Sequence, residues 1–142
     1  MKRIIFSITT ALILISPFSS SAVEKANPLK NMNTTAIVAV YLNATALGNP
    51  EFSEQLFARD FEYYVAGLNV FKFNRKQYLK FLKQNTGLQF NCKTTSEILA
   101  ENGDSCTAKT TMQFENFTRV DYITLCRKKD SWQVSKVVTT YP

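Results

Sequence analysis

Residues 90–141 read FNCKTTSEILAENGDSCTAKTTMQFENFTRVDYITLCRKKDSWQVSKVVTTY, and the fold turns on how that stretch is divided. Its apolar residues recur at every second position, the period of a strand with one buried face. Asn102-Gly103 is a strong hairpin signal, and residues 115–118 and 127–131 gather turn formers. The division is therefore four strands, 90–100, 105–114, 119–126 and 132–141, joined as an antiparallel meander.

Working outward, the first half has a helical period. Asn33-Thr34-Thr35 offers N-cap candidates, Ile37, Val40, Tyr41, Ala44 and Leu47 follow at helical spacing, and Gly48 is a natural stop. Asn49-Pro50 opens a short second helix carrying Phe52, Leu56 and Phe57. Residues 60–66 are aromatic and β-branched, so they read as a strand; Gly67-Leu68-Asn69 turns the chain and residues 70–73 return. Asn74 caps a third helix, with Gln77 where a capping box needs it. Tyr78, Leu79 and Leu82 share one face of it, while Lys76, Lys80 and Lys83 lie on another that reads as solvated. The fold class is α+β: three helices in the N-terminal half, packed on one face of a strongly curved, mainly antiparallel sheet made of a short hairpin plus the meander.

The chain has 142 residues, enough for one domain. With no His, it has no Ser-His-Asp or Cys-His pair and no His metal site. Three Cys without C-x-x-C spacing exclude a four-thiolate zinc site, and the four isolated Gly form no phosphate loop, so neither metal nor cofactor is expected. Lys2 and Arg3, the mostly apolar run 4–15, Pro17 and the small residues Ser19-Ser20-Ser21-Ala22 match a secretory signal cleaved after Ala22. The alternative is an uncleaved anchor, for which the run is short. The domain reading is a signal at 1–22, an extended lead-in at 23–32 and one domain at 33–142. Loss of Lys2 and Arg3 lowers the formal charge from +6 to +4, too little to imply nucleic acid. The protein is expected in the periplasm or outside the cell, without a stable membrane anchor after cleavage.

An exported chain meets oxidising conditions. With Asn102-Gly103 as a two-residue loop, Cys92 and Cys106 lie about seven residues apart along the hairpin, too far to bridge. A turn near Asn116 brings Cys106 and Cys126 opposite each other within a residue. A Cys106–Cys126 disulfide with Cys92 free and half-buried is expected; three reduced thiols are the alternative.

Leu56-Phe57-Ala58-Arg59-Asp60-Phe61, the run Phe73-Asn74-Arg75-Lys76-Gln77-Tyr78-Leu79-Lys80-Phe81-Leu82, and the ending Trp132 to Tyr141 resemble the nuclear transport factor 2-like superfamily. Within it they are similar to the small secreted bacterial branch called putative lumazine-binding. The resemblance runs over 33–141 and implies a cone of three helices in a curved sheet, an apolar pocket in that cone, and a homodimer. Many relatives have His where this chain has Ala58, and enzymatic members commonly use His or Asp in the cone; only Asp is available here.

On that resemblance the cone lining comes from Tyr41, Tyr63 or Tyr64 (Tyr64 preferred), Phe71 or Phe73 (Phe73 preferred), Met112, Phe114, Tyr122 and Trp132, unless these side chains simply fill the core. Asp60 and Asp121 are the acids nearest apolar strand residues. Either would act as a general base if buried, with a Tyr such as Tyr122 donating to an enolate oxygen. The plainer alternative makes them edge charges or partners of Arg59 or Arg119; Arg119 and Asp121 share a strand face. Three functions follow: a non-catalytic binding domain holding a small apolar or aromatic ligand, an isomerase- or dehydratase-type enzyme using Asp and Tyr, and a homodimeric interaction scaffold with a filled cone.

Overall fold

A computed structural model describes residues 26–67 and 71–142. The expected signal at 1–22 and most of the expected turn at 67–69 lie outside the described residues. The elements are α1 (Thr34–Thr45), α2 (Ser53–Leu56), β1 (Phe57–Val65), β2 (Phe71–Asn74), α3 (Arg75–Gln84), β3 (Lys93–Asn102), β4 (Ser105–Gln113), β5 (Thr118–Lys128) and β6 (Ser131–Thr140). One six-stranded, curved, unclosed sheet runs in the order β2-β1-β6-β5-β4-β3, with the helices on its concave side. Every pairing is antiparallel except β1 with β6, which is parallel. That junction welds the N-terminal hairpin to the end of the meander.

The helix signals act as their chemistry requires. Asn33 accepts from the Ala36 N–H at 2.8 Å at the start of α1. Asn74 and Gln77 form a reciprocal capping box at the start of α3. Ile37, Val38, Tyr41 and Ala44 turn α1 inward; Tyr78 and Leu82 do the same for α3. Lys76, Lys80 and Lys83 are exposed.

Two extra residues bend the sheet. Between β5 and β6 the register shifts where Thr124 faces Lys136 but Leu125 faces Val134, leaving Ser135 as the additional residue. Without it, strict alternation would put Trp132 and Val134 on one face and Val137 and Thr139 on the other. With it, all four are buried on the concave side. The Ser135 hydroxyl donates to the Thr124 carbonyl at 3.2 Å and holds the bulge. Leu99 plays the matching part in β3, between Ile98 opposite Ala108 and Ala100 opposite Thr107.

Four expectations need correction. The strand expected from residue 60 begins at Phe57, because Phe57 already pairs with Val134. The first meander strand begins at Lys93 rather than residue 90, since the Phe90 N–H donates to the Ala46 carbonyl instead. Residues 27–32 are a turn rather than an extended lead-in: Asn27 bonds Ser131, the Asn31 N–H donates to the Asp130 carbonyl, and Leu29 is in the core. The fourth concerns two hairpins and undoes the disulfide. The loop is Gly103-Asp104, with Asn102 opposite Ser105 and Gly103 at φ +59, the Gly-first pattern of a II′ turn. In the next hairpin Gln113 faces Thr118, so the loop is 114–117 and Cys106 lies opposite Leu125, with Cys126 opposite Ser105. One residue of offset sends the two thiols to opposite faces, and Cys92, Cys106 and Cys126 are free. Unfolded, unreduced protein is expected to titrate three thiols; two thiols fewer would restore the bridge.

The end of α1 is fixed by a close approach. Gly48, at φ +67, accepts from the Gly87 N–H at 2.8 Å, and a Cβ there would lie 2.6 Å from the Leu88 nitrogen. Backbone cannot yield as a side chain would. Gly48→Ala is expected to lower stability by about 2 kcal/mol or more, read from the urea midpoint. An unchanged midpoint would mean that residues 85–90 do not anchor α1.

Candidate functional site

The inward side of β5 changes character along its length. Leu125 and Ile123 are fully buried and apolar; Asp121, two residues on, is fully buried and charged, and Arg119 follows with its side chain 13% exposed. The register carries this polar band across the sheet, because Asp121 faces Thr110 on β4 and Thr139 on β6.

Four hydrogen bonds converge on Asp121. Arg119 donates from Nε to Oδ1 and from Nη2 to Oδ2, each at 2.9 Å. The Thr139 hydroxyl donates to Oδ1 and the Tyr41 hydroxyl, from α1, to Oδ2, each at 2.6 Å. A carboxylate offers about four lone-pair sites, and all are taken. This is the arrangement that offsets the cost of a charge pair without water: a bidentate guanidinium plus bonds to the remaining lone pairs. Burial, then Asp121, pushes the Tyr41 phenol well above its ordinary value. Tyr63 and Tyr78 are raised too, each chiefly by burial. Burial pulls Arg119 downward, but Asp121 and Tyr41 outweigh it and hold the guanidinium above its usual range. Among the described residues, the Thr110 hydroxyl, buried on the same face, has no hydrogen-bond partner.

Around this band the walls are aromatic. On the α3 side, Phe57 packs on Phe61 at 4.7 Å and Tyr78 at 5.3 Å between ring centres, and Tyr63 stacks on Tyr78 at 4.9 Å. These rings fill that half of the cone. At the sheet end beside Arg119 the rings form a rim open to solvent. Phe114 stacks on Phe117 at 4.4 Å and faces Phe90 at 6.0 Å, while Phe117 meets Tyr141 at 6.1 Å. Phe117 is 50% and Tyr141 54% exposed. Cys92 lies close enough to Arg119 to feel its charge.

The structure brings together only part of the expected lining. Tyr41 is inside and bonded to Asp121; Met112 is buried opposite Arg119; Phe114 is half-buried in the rim; Phe73 is half-buried and stacks on Tyr63 at 5.9 Å. Trp132 is buried opposite Arg127, eight residues from Arg119 and so on the order of 25 Å away along β5. Tyr64 and Tyr122 are on the outer face, because the buried residues flanking each of them, such as Tyr63 and Asp121, alternate inward. Tyr64 donates to Glu62, and the Lys72 and Lys136 ammonium groups sit 5.5 and 5.2 Å from its ring centre. Asp60 is exposed, in an outer hollow with Arg59, Lys72 and Lys76. The Asp121–Tyr122 pair of the enzyme reading therefore does not meet. The tyrosine that reaches Asp121 is Tyr41, as a donor to it. Of the alternatives Tyr63 and Tyr64, it is Tyr63 that lies inside; Thr139 and Tyr78 were not expected in the site. Thr139 was not legible, because pairing β5 with β6 about the 129–130 turn puts Val138 opposite Asp121, and only the extra residue at Ser135 brings Thr139 there. Among the described residues no three His, Cys, Asp or Glu side chains gather as a metal site, and no helix is long and apolar enough to cross a membrane.

The family described as putative lumazine-binding matches residues 30–140. A nuclear transport factor 2-like protein of unknown function from Silicibacter pomeroyi superposes with a TM-score of 0.64 at 14% identity, over 76% of this chain and 92% of that one. A protein of unknown function of the DUF3225 family from Pectobacterium atrosepticum gives 0.62 at 15% identity, over 76% and 87%. An uncharacterised protein with a cystatin-like fold from Caulobacter vibrioides gives 0.60 at 16% identity, over 76% and 86%. These likenesses concern the fold. No curated protein matches the chain.

The raised tyrosines make stability depend on alkaline pH. Their neutral forms are favoured in the folded state, so their contribution is complete below the unfolded tyrosine value of about 10 and is lost as pH climbs toward the higher folded values. Urea midpoints are expected to hold from pH 8 to about 9.5 and then fall steeply. Tyr41→Phe is expected to cost about 1 kcal/mol at pH 8, by removing a donor to Asp121, and to flatten the alkaline fall. An unchanged slope in that variant would remove Tyr41 from the polar band.

Proposed function

This chain belongs to the putative lumazine-binding family, and on that premise we propose that its cone holds a small apolar or aromatic molecule without transforming it. The observation that carries the reading is the Arg119–Asp121 pair, set in the cone beneath an aromatic rim that stays exposed in the isolated chain. Ligand sites combine this kind of apolar wall with a few placed polar groups. A rim of Phe114, Phe117 and Tyr141 left facing water is otherwise an unfavourable use of aromatic surface. Holding is favoured over catalysis because every acceptor site of Asp121 is occupied by a donor. To take a proton from a substrate it would first have to surrender one of those bonds. Export, by a signal at residues 1–22, is part of the same reading and rests on the composition of that segment. Self-association rests on the family resemblance. The filled half of the cone, around Phe57, Phe61 and Tyr78, supports the scaffold as a second reading.

The fluorescence of N-phenyl-1-naphthylamine, a neutral aromatic probe, separates the two. The ligand-binding reading expects saturable enhancement with a micromolar midpoint. The pair Phe114→Ala and Phe117→Ala is expected to weaken it roughly tenfold, the equivalent of about 1.4 kcal/mol. Leu99→Ser, at the opposite end of the sheet, is expected to leave it unchanged. No saturable binding, or equal loss with Leu99→Ser, would favour the scaffold. Native mass spectrometry of the same preparation is expected to show a small molecule bound to the polypeptide assembly and released on unfolding.

A further inference from the structure

A guanidinium carries five N–H donors in a planar fork. Asp121 takes two of those of Arg119, along the edge formed by Nε and Nη2. Among the described residues, the other three, both on Nη1 and one on Nη2, donate to nothing. Two of the three, one on each terminal nitrogen, form the far edge of the fork, a parallel N–H pair with the spacing of two carboxylate oxygens. The side chain is mostly removed from water, at 13% exposure, so an acceptor arriving there displaces little solvent and forms strong bonds.

The fork is also held still. Asp121 fixes it by two bonds, and Asp121 is itself fixed by Tyr41 from α1 and Thr139 from β6. Those two hydroxyls draw on the negative charge of the carboxylate, so Arg119 is left only partly neutralised. Its surroundings are apolar and flat: Met112 directly across the sheet, then the stacked Phe114 and Phe117 one turn beyond. The unpartnered Thr110 hydroxyl lies on the same face, beside Asp121.

Resting on the reading of the cone as a ligand site, we propose that the ligand is a planar aromatic carboxylate, its ring laid against the stacked rim phenylalanines and its two oxygens on the free edge of Arg119. Asp121 is the positioning residue, acting through Arg119 and touching no ligand.

The test is a matched pair of probes, 2-naphthoate and its neutral isostere 2-naphthamide, titrated calorimetrically into the full folded chain. The proposal expects naphthoate to bind at least tenfold tighter, and expects Arg119→Lys to reduce that preference to within threefold while circular dichroism stays unchanged. Asp121→Asn is expected to lower naphthoate affinity and leave naphthamide affinity in place, which a general loss of packing would not do. Binding of both probes with equal affinity in the unmutated chain would overturn the carboxylate and keep the ligand site. Binding of neither would overturn both. Because the decisive comparison needs no variant, a substitution that fails to fold does not blunt it.

Discussion

The carboxylate of Asp121 is the acceptor that three side chains share through four hydrogen bonds, and much of the structure is arranged so that it can be. It has no exposure to solvent, and a charge so placed is tolerated only with its partners complete. Arg119 comes from the same strand, Thr139 from the neighbouring strand, and Tyr41 from a helix eighty positions away in sequence. Each bond fixes one dimension. Thr139 demands the β5–β6 register, Tyr41 sets how α1 lies across the sheet, and Arg119 is drawn inward from a strand end that would otherwise face water. Loss of any partner would leave the others facing an unsatisfied buried charge, so the set acts as a unit.

That unit depends on curvature, and curvature depends on irregularity. Ser135 is the extra residue that lets β6 present Trp132 and Val134, then Val137 and Thr139, to one interior. Leu99 is the extra residue of a second bulge, in the outer strand. A regular sheet of this sequence would put Thr139 on the side away from Asp121. The bulges thus serve the site as much as the core, since they re-aim side chains as well as bending strands.

The interior divides into two halves with different chemistry. Toward α3, interlocked rings leave the cone filled. Toward the β4–β5 turn, a fixed cation lies below rings that water still reaches. Solved structures that share only 14–16% of its residues superpose on this fold, so the architecture does not depend on these side chains, whereas the polar band is written in particular residues of this chain. Fold and site therefore carry separate information.

Much of the architecture is legible in the residues alone. The period-two pattern after residue 90, the capping box of Asn74 and Gln77, and the Asn33 cap each act over a few positions, and local chemistry decides them. The pairing of Arg119 with Asp121 is similarly local, two positions apart on one strand face. What tertiary structure alone decided is whatever depends on a single residue of register or on contacts between distant segments. The β4–β5 hairpin closes with Gln113 opposite Thr118, half a residue before a turn centred on Asn116, and because side chains alternate every residue, the resulting one-residue offset separated Cys106 from Cys126 by the thickness of the sheet. The same alternation sent Tyr122 outward beside an inward Asp121. Parallel pairing of β1 with β6, the bulge at Ser135 and the reach of Tyr41 to Asp121 have no local signature, because they arise only when curvature and burial are satisfied together.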